Sequence, residues 1–203
     1  RKAVRTFETV LNLMERYPDF TFNQSSAQLY AWIEDEHPEL FARIAARVRE
    51  GRWEAVGGMW VEPDAAMSGG ESLARQLLYG QRYFQEKFGR PSTVAWLPDT
   101  FGFTGQLPQL LQQAGVTGFF TTKLSWNETT PFPHDLWWWE GLDGSRVLGH
   151  MFKNDIYGAE ALGSYNGDIS ASHVRRVVHH DRAAALPAWR GAAPVSYTHL
   201  TLP

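Results

Sequence analysis

The sequence predicts an α/β fold of parallel strands joined by helical crossovers, and three observations lead there. Amphipathic segments with apolar residues at helical spacing alternate with short apolar runs along most of the chain. The short runs stop at chain-breaking residues, Gly57–Gly58 after Val56 and Pro98 after Leu97. Hydrophobic residues make up 43% of the 203, enough to bury a core. Alternation at this spacing means an α/β barrel or an open sheet, with active residues where strands end and loops begin.

The elements follow in chain order. Val4, Phe7, Val10, Leu11 and Met14 recur at helical spacing and define a first helix that stops before Pro18. No Ser, Thr, Asp or Asn caps its start, so a preceding element is expected. Phe20–Asn23 alternates like a strand and leads into Ser25–Ser26, a cap-like pair before a helix over Ala27–Glu36. A further helix starts at Pro38, a good first-turn residue, and ends at Gly51. Trp53–Val56 is a short strand. Glu71–Phe88 is a long amphipathic helix with Gly89 past its end. Thr93–Leu97 reads as a buried strand, Gln106–Ala114 as a helix capped by Gly115, and Phe119–Thr122 as another strand. Leu136–Glu140 and Arg146–Met151 then flank Asp143–Gly144, a dipeptide that favours a hairpin turn. A last helix is expected over Ala171–Leu186.

Composition excludes several function classes. With 19 basic and 22 acidic side chains the net charge is −3, which offers no basic excess for nucleic acid or an anionic membrane. No apolar run approaches the roughly 20 residues of a membrane span. The absence of cysteine removes disulfides, thiolate metal sites and a cysteine nucleophile, and it fits a reducing compartment such as the cytoplasm. The 9 Trp, 12 Phe and 7 Tyr form a surplus of flat rings of the kind that carbohydrate sites and cores both use.

The segment that carries chemistry is Val94–Phe103. A strand ends at Leu97, Pro98 stops its ladder, and Asp99 then stands at a carboxyl-terminal strand end with Phe101 two residues on. A carboxylate beside a ring suits sugar chemistry, because the ring stacks on C–H faces while the carboxylate attacks or stabilises an oxocarbenium centre. The competing reading makes Asp99 a helix cap and Phe101 a core residue.

The stretch WLPDTFGFTGQLPQLLQQAG, from Trp96 to Gly115, resembles the nucleophile segment of glycoside hydrolase family 38, the retaining α-mannosidases, and especially their cytosolic and vacuolar branch with its bacterial relatives. Arg1–Phe41, Gly51–Phe84 and Thr121–Phe152 resemble the same catalytic domain in the same order, so the resemblance runs from Arg1 to about Leu186. It implies part of a seven-stranded α/β barrel, cut at both ends, that acts on mannose-containing oligosaccharides; a homo-oligomeric parent is compatible with it. It implies that Asp99 is the nucleophile and a ligand of the catalytic Zn2+, and that Phe101 packs near the reacting sugar. Lys123 stands where relatives often carry Arg, as a cationic partner of the nucleophile, and Trp60 and Asp64 match a segment lining the sugar pocket. Trp60 is otherwise an edge-of-core ring, and Asp64 a turn residue.

The other zinc ligands implied are an upstream His-x-Asp pair and a distant downstream His, neither matched in this chain. The acid/base aspartate belongs to a Gly-rich segment expected after Ala193; Asp168 and Asp181 do not match its context. Residues 1–194 are therefore read as part of a catalytic domain that is inactive alone, and Val195–Pro203 as a foreign, adapter-like tail. Trp137, Trp138 and Trp139 alternate faces on one strand and cannot form one platform. His37 and His134 adjoin prolines as turn residues, and His179 and His180 are about 100° apart on a helix, which bars chelation from one face. Two rival functions stay open at this point, a non-catalytic carbohydrate-binding module and a glycosidase or deacetylase of different chemistry on a related barrel.

Overall fold

A computed structural model describes residues 1–125, 132–134 and 136–151, with the backbone of Ala188–Arg190. The helix expected over Ala171–Leu186 and the tail Val195–Pro203 lie outside the described residues. The first layer begins with α1 (Lys2–Arg16), which buries Phe7, Val10, Leu11 and Met14 on one face. It ends at Tyr17, whose extended backbone is the conformation a residue before proline prefers. The turn that follows is held by the guanidinium of Arg52, which donates to the carbonyls of Met14, Tyr17 and Phe20. Strand β1 (Phe22–Gln24) therefore starts later than its alternation suggests, because Phe20 N–H is still bonded back to Tyr17.

Helices α2 (Ala27–Glu36) and α3 (Pro38–Arg49) carry the chain to β2 (Trp53–Ala55), which pairs in parallel with β1, Phe22 beside Trp53 and Gln24 beside Ala55. Tyr30, fully buried, accepts from Trp53 Nε1 at 2.8 Å and donates to Gln24 O at 3.0 Å, so both of its polar functions are satisfied in the core. The expected side-chain cap of α2 is absent. Ser26 sits at the cap position with φ +66° and makes no such bond; instead the N–H groups of Ala27 and Gln28 donate to the carbonyls of Met59 and Trp60. Backbone from the loop after β2 does the capping, and the Ser25 hydroxyl is left for another partner.

Helix α4 (Gly70–Phe88) joins two apolar clusters. Its Leu73 and Leu77 enter one, around the second sheet, and its Phe84 enters the other, around Phe7, Tyr30, Ile44 and Trp53. Gly80 lies between them on the same face. A Cβ there would stand 2.4 Å from the carbonyl carbon of Met59 and 2.5 Å from Gly58 O, so only glycine lets that loop cross the helix. The next residue clamps the far side: Gln81 Nε2 donates to Ser92 O and Ala114 O, and its Oε1 accepts from Ser92 N. Gly89 closes the helix at φ +77°.

The second sheet has the order β3 (Val94–Trp96), β4 (Gly118–Thr121), β6 (Arg146–Met151), β5 (Leu136–Glu140) and β7 (Ala188–Arg190). Strands β3, β4 and β6 run parallel in sequence, β5 returns antiparallel to β6, and β7 is parallel to β5. Helix α5 (Leu107–Gln113) crosses from β3 to β4. Gly57 N–H donates to Val94 O at 2.9 Å and so ties the end of β2 to β3. Along β5, Trp137 and Trp139 are fully buried while Trp138 faces outward, the alternation its sequence demands. No helix among the described residues is long and apolar enough to cross a membrane.

Gly80→Ala is expected to lower stability by about 1–3 kcal/mol, because the clash with fixed backbone outweighs the roughly 1 kcal/mol that alanine gains in helix propensity. Urea denaturation of variant and wild type side by side checks it; an unchanged or higher midpoint would refute the close approach.

Candidate active site

The loops that follow the first four strands converge. Leu97 N–H extends the β3–β4 ladder with a bond to Phe120 O, and Pro98, which has no N–H to continue it, turns the chain out. The Pro98 carbonyl accepts from Thr122 Oγ1 at 2.6 Å, fastening the loop after β3 to the loop after β4. The loop after β2 is fastened in turn: Thr100 Oγ1 donates to Pro63 O at 3.2 Å, and Thr104 N–H to Ala65 O.

Asp99 emerges from this lashed region with its side chain 59% exposed. Lys123, two residues past β4, has only 2% of its side chain exposed, and its Nζ lies 2.7 Å from Asp99 Oδ1. The same ammonium sits 4.9 Å from the centroid of the Phe101 ring, over its electron-rich face. A buried ammonium is costly unless an anion and a polarisable neighbour take the place of its water, and here Asp99 and Phe101 do so. The result is a carboxylate open to solvent on one side and fixed to a buried cation on the other. Asp99, Phe101 and Lys123 thus come together as the sequence suggests.

Trp60 and Asp64 make different contacts. Trp60 donates from Nε1 to Gln28 Oε1 at 2.8 Å and packs edge-on against Tyr83 at the border of the α1–α4 cluster. Asp64 Oδ1 accepts from the N–H groups of Ala66 and Met67, which makes it the organiser of its own turn.

Two residues of the site were not evident in the sequence. Ser25 directly follows β1, and its hydroxyl donates to Glu62 Oε1 in the loop after β2. Burial pushes the Glu62 carboxyl above the ordinary carboxylate range; the Ser25 hydroxyl opposes that shift, and the charge of Asp99 adds to it. Glu62 is therefore an electrostatic neighbour of Asp99. Its nearness to Trp60 in sequence was the available signal, but its pairing with Ser25 across 37 positions was not readable. On the sheet face opposite the core, Trp96 stacks on Phe120 at 4.1 Å, and His150 tilts against Phe120 at 5.8 Å.

This arrangement can place an anionic nucleophile and a ring beside a neutral polyol. It does not by itself hold a metal, since no group of three or more His, Cys, Asp or Glu is gathered among the described residues.

Residues 1–186 match the model of the glycosyl hydrolases family 38 N-terminal domain. The chain belongs to this family. Alpha-mannosidase G of Dictyostelium discoideum is 47% identical over 160 residues, which cover 79% of this chain and 15% of that protein. Alpha-mannosidase 2C1 of Homo sapiens is 46% identical over the same shares. Among solved structures, an alpha-mannosidase from Enterococcus faecalis V583 aligns with a TM-score of 0.65 and 26% identity, over 75% of this chain and 17% of that one. The chain thus spans 15% of the length of those two relatives, and it carries the family 38 α/β fold.

Trp60→Phe in this family 38 domain keeps the ring against Tyr83 and deletes the bond to Gln28. A loss of about 1 kcal/mol in unfolding free energy is expected from denaturation curves, and unchanged stability would remove the Trp60–Gln28 bond as a structural contributor.

Proposed function

We propose that these residues are part of an α-mannosidase that hydrolyses terminal α-D-mannosyl residues of glycans with retention, through a covalent mannosyl–Asp99 intermediate. The observation that carries it is the Asp99 carboxylate at the carboxyl end of β3, paired with buried Lys123 and flanked by Phe101 in a chain of family 38. In the first step the carboxylate attacks the anomeric carbon, the bond to the leaving oxygen breaks, and a second carboxylic acid roughly 5 Å away gives that oxygen its proton. In the second step water, deprotonated by the same group, displaces Asp99 with a second inversion. Lys123 keeps the carboxylate oriented and offsets its charge before attack. Phe101 offers an apolar face to the sugar's C–H groups.

We infer that the two sheets belong to a seven-stranded barrel in the whole protein. Zinc enters as an ion for which Asp99 supplies one ligand; the described residues do not complete its site, and no step is assigned to it. When bound, such an ion supplies Lewis-acid polarisation of sugar oxygens. Asp99 alone, without the further ligands and an acid/base carboxyl, leaves these 203 residues inactive in this reading. The cysteine-free sequence supports a cytoplasmic setting.

In the full-length protein, Asp99→Ala is expected to lower kcat/KM on an aryl α-mannoside by at least about 1,000-fold, and Lys123→Met by about 10- to 100-fold. Wild-type turnover by Asp99→Ala would sink the nucleophile assignment. Treatment with a chelator is expected to abolish turnover and added Zn2+ to restore it, whereas full activity after metal removal, checked by elemental analysis, would exclude the ion.

A further inference from the structure

The α-mannosidase reading leaves Glu62 without a role, although its loop is bonded to the loop that carries Asp99 and the Asp99 charge acts on it. Resting on that reading, we propose that Glu62 is a substrate-positioning residue: one carboxylate oxygen is held by Ser25, and the other accepts a hydrogen bond from a hydroxyl of the sugar that Asp99 attacks.

Position is the first support. Ser25 follows β1, Glu62 lies in the loop after β2, Asp99 in the loop after β3 and Lys123 after β4. Strand β1 runs parallel to β2 and β3 to β4, and their following loops are bonded to one another, so each of these strands delivers one polar side chain to the same loop cluster. In α/β folds the loops that follow the strands are where ligands bind. The second support is how firmly the loop of Glu62 is tied to the loop of Asp99. Its loop is bonded through Pro63 O and Ala65 O to Thr100 and Thr104, residues that flank Phe101. Ser25 is packed beneath it, for a Cβ on Gly57 would stand 3.3 Å from Ser25 Cβ and 3.7 Å from Trp96 Cβ, and Gly57 itself lies at φ +97°. Serine at 25 and a bare glycine at 57 hold the carboxyl in place between strands.

The third support is chemical. Among the described residues Glu62 has no Lys, Arg or His within ion-pair distance, and the nearby cation, Lys123, is already engaged by Asp99. Only Oε1 has a hydrogen-bond partner among them, the Ser25 hydroxyl. A partly buried carboxylate beside another carboxylate is unfavourable for folding, and a structural salt bridge does not explain it. A neutral, hydroxyl-rich ligand does: an O–H donor satisfies Oε2 without adding charge, and the Ser25 bond fixes the direction in which that oxygen points. Trp60, two residues earlier, donates to Gln28 instead, whereas Glu62 is held by Ser25 at the strand ends where the Asp99 charge acts on it.

The test uses the full-length protein as wild type, Glu62→Ala, Glu62→Gln, Ser25→Ala and Asp99→Ala, with an aryl α-D-mannoside and its 2-, 3-, 4- and 6-deoxy analogues. Glu62→Ala is expected to reduce kcat/KM by about 10- to 100-fold, mostly through KM, with Glu62→Gln and Ser25→Ala falling between it and wild type. For one deoxy sugar the wild type should lose as much, and Glu62→Ala should then differ from wild type by less than about 2-fold, because the contact is already missing. A structural role would leave the deficit equal across all the sugars and overturns the proposal. So does wild-type kinetics in both Glu62 variants, or a kcat collapse at constant KM, which would make Glu62 a proton donor. If Glu62→Ala fails to fold, the near-isosteric Glu62→Gln carries the comparison. A wild type that cleaves the mannoside while Asp99→Ala does not, with Glu62 neutral, rejects this inference alone. A wild type inert to every mannoside rejects the mannosidase reading and this inference with it.

Discussion

The loop after β2 runs so close to α4 that no side chain fits between them, and this contact at Gly80 organises much of what surrounds it. Because the Gly58–Met59 backbone lies on the helix, Met59 O and Trp60 O are placed to cap α2, which has no side-chain cap of its own. Because the helix continues on both sides of the crossing, Leu77 and Phe84 reach separate apolar clusters and make them one body. Gln81, one residue on, fixes the approaches to β3 and β4 through Ser92 and Ala114. A single missing Cβ thus sets the height at which the loops after β2 and β3 meet.

From that height the site follows by electrostatics. Lys123 is driven under the loops by its place just past a buried strand, and its ammonium loses nearly all its water. Asp99 and the face of Phe101 compensate for that loss, which ties a carboxylate 59% exposed to a buried charge. An exposed ion pair would be worth about 1 kcal/mol or less and would wander. Burying one partner raises the attraction, so the Asp99 carboxylate is paired with a charge that solvent hardly screens.

Much of this was legible in the sequence. Helical periodicity located α1 to α5 within a residue or two, since each buries one face against a sheet or another helix. Strands β5 and β6 were found with their bounds, β1 to β4 were found but shortened or shifted at their ends, and β7 was not foreseen. Phe20 and Thr21 are retained in the turn that Arg52 holds, a long-range constraint no local alternation can express. Asp99, Phe101 and Lys123 could be named from motif and strand-end logic. Ser25 reads from the sequence as part of a helix cap, because a hydroxyl just before a helix is the context of a cap. What decides its partner is backbone from 34 to 35 residues away, which takes over the capping bonds. Glu62 escaped for the same reason, as its meaning lies in what faces it across loops.

The surplus of rings deserves a different interpretation from the one its count invites. Trp53, Trp137 and Trp139 are wholly buried, Trp60 is bound to Gln28, and Trp96 stacks on Phe120. Phe101, the ring placed beside Asp99, is also the ring that stabilises the Lys123 ammonium, so it serves the electrostatics of the site before it serves any stacking. On the α-mannosidase reading proposed above, a site with a ring committed in this way discriminates sugars by charge-assisted hydrogen bonds to their hydroxyls more than by aromatic platforms. Such bonds are directional, and a misplaced hydroxyl leaves a desolvated carboxylate unsatisfied, which penalises the wrong epimer more sharply than a poorly stacked ring would. Among the described residues, most tryptophans of the surplus that first suggests carbohydrate binding therefore work in packing, and on the proposed reading recognition rests on a few polar side chains at the strand ends.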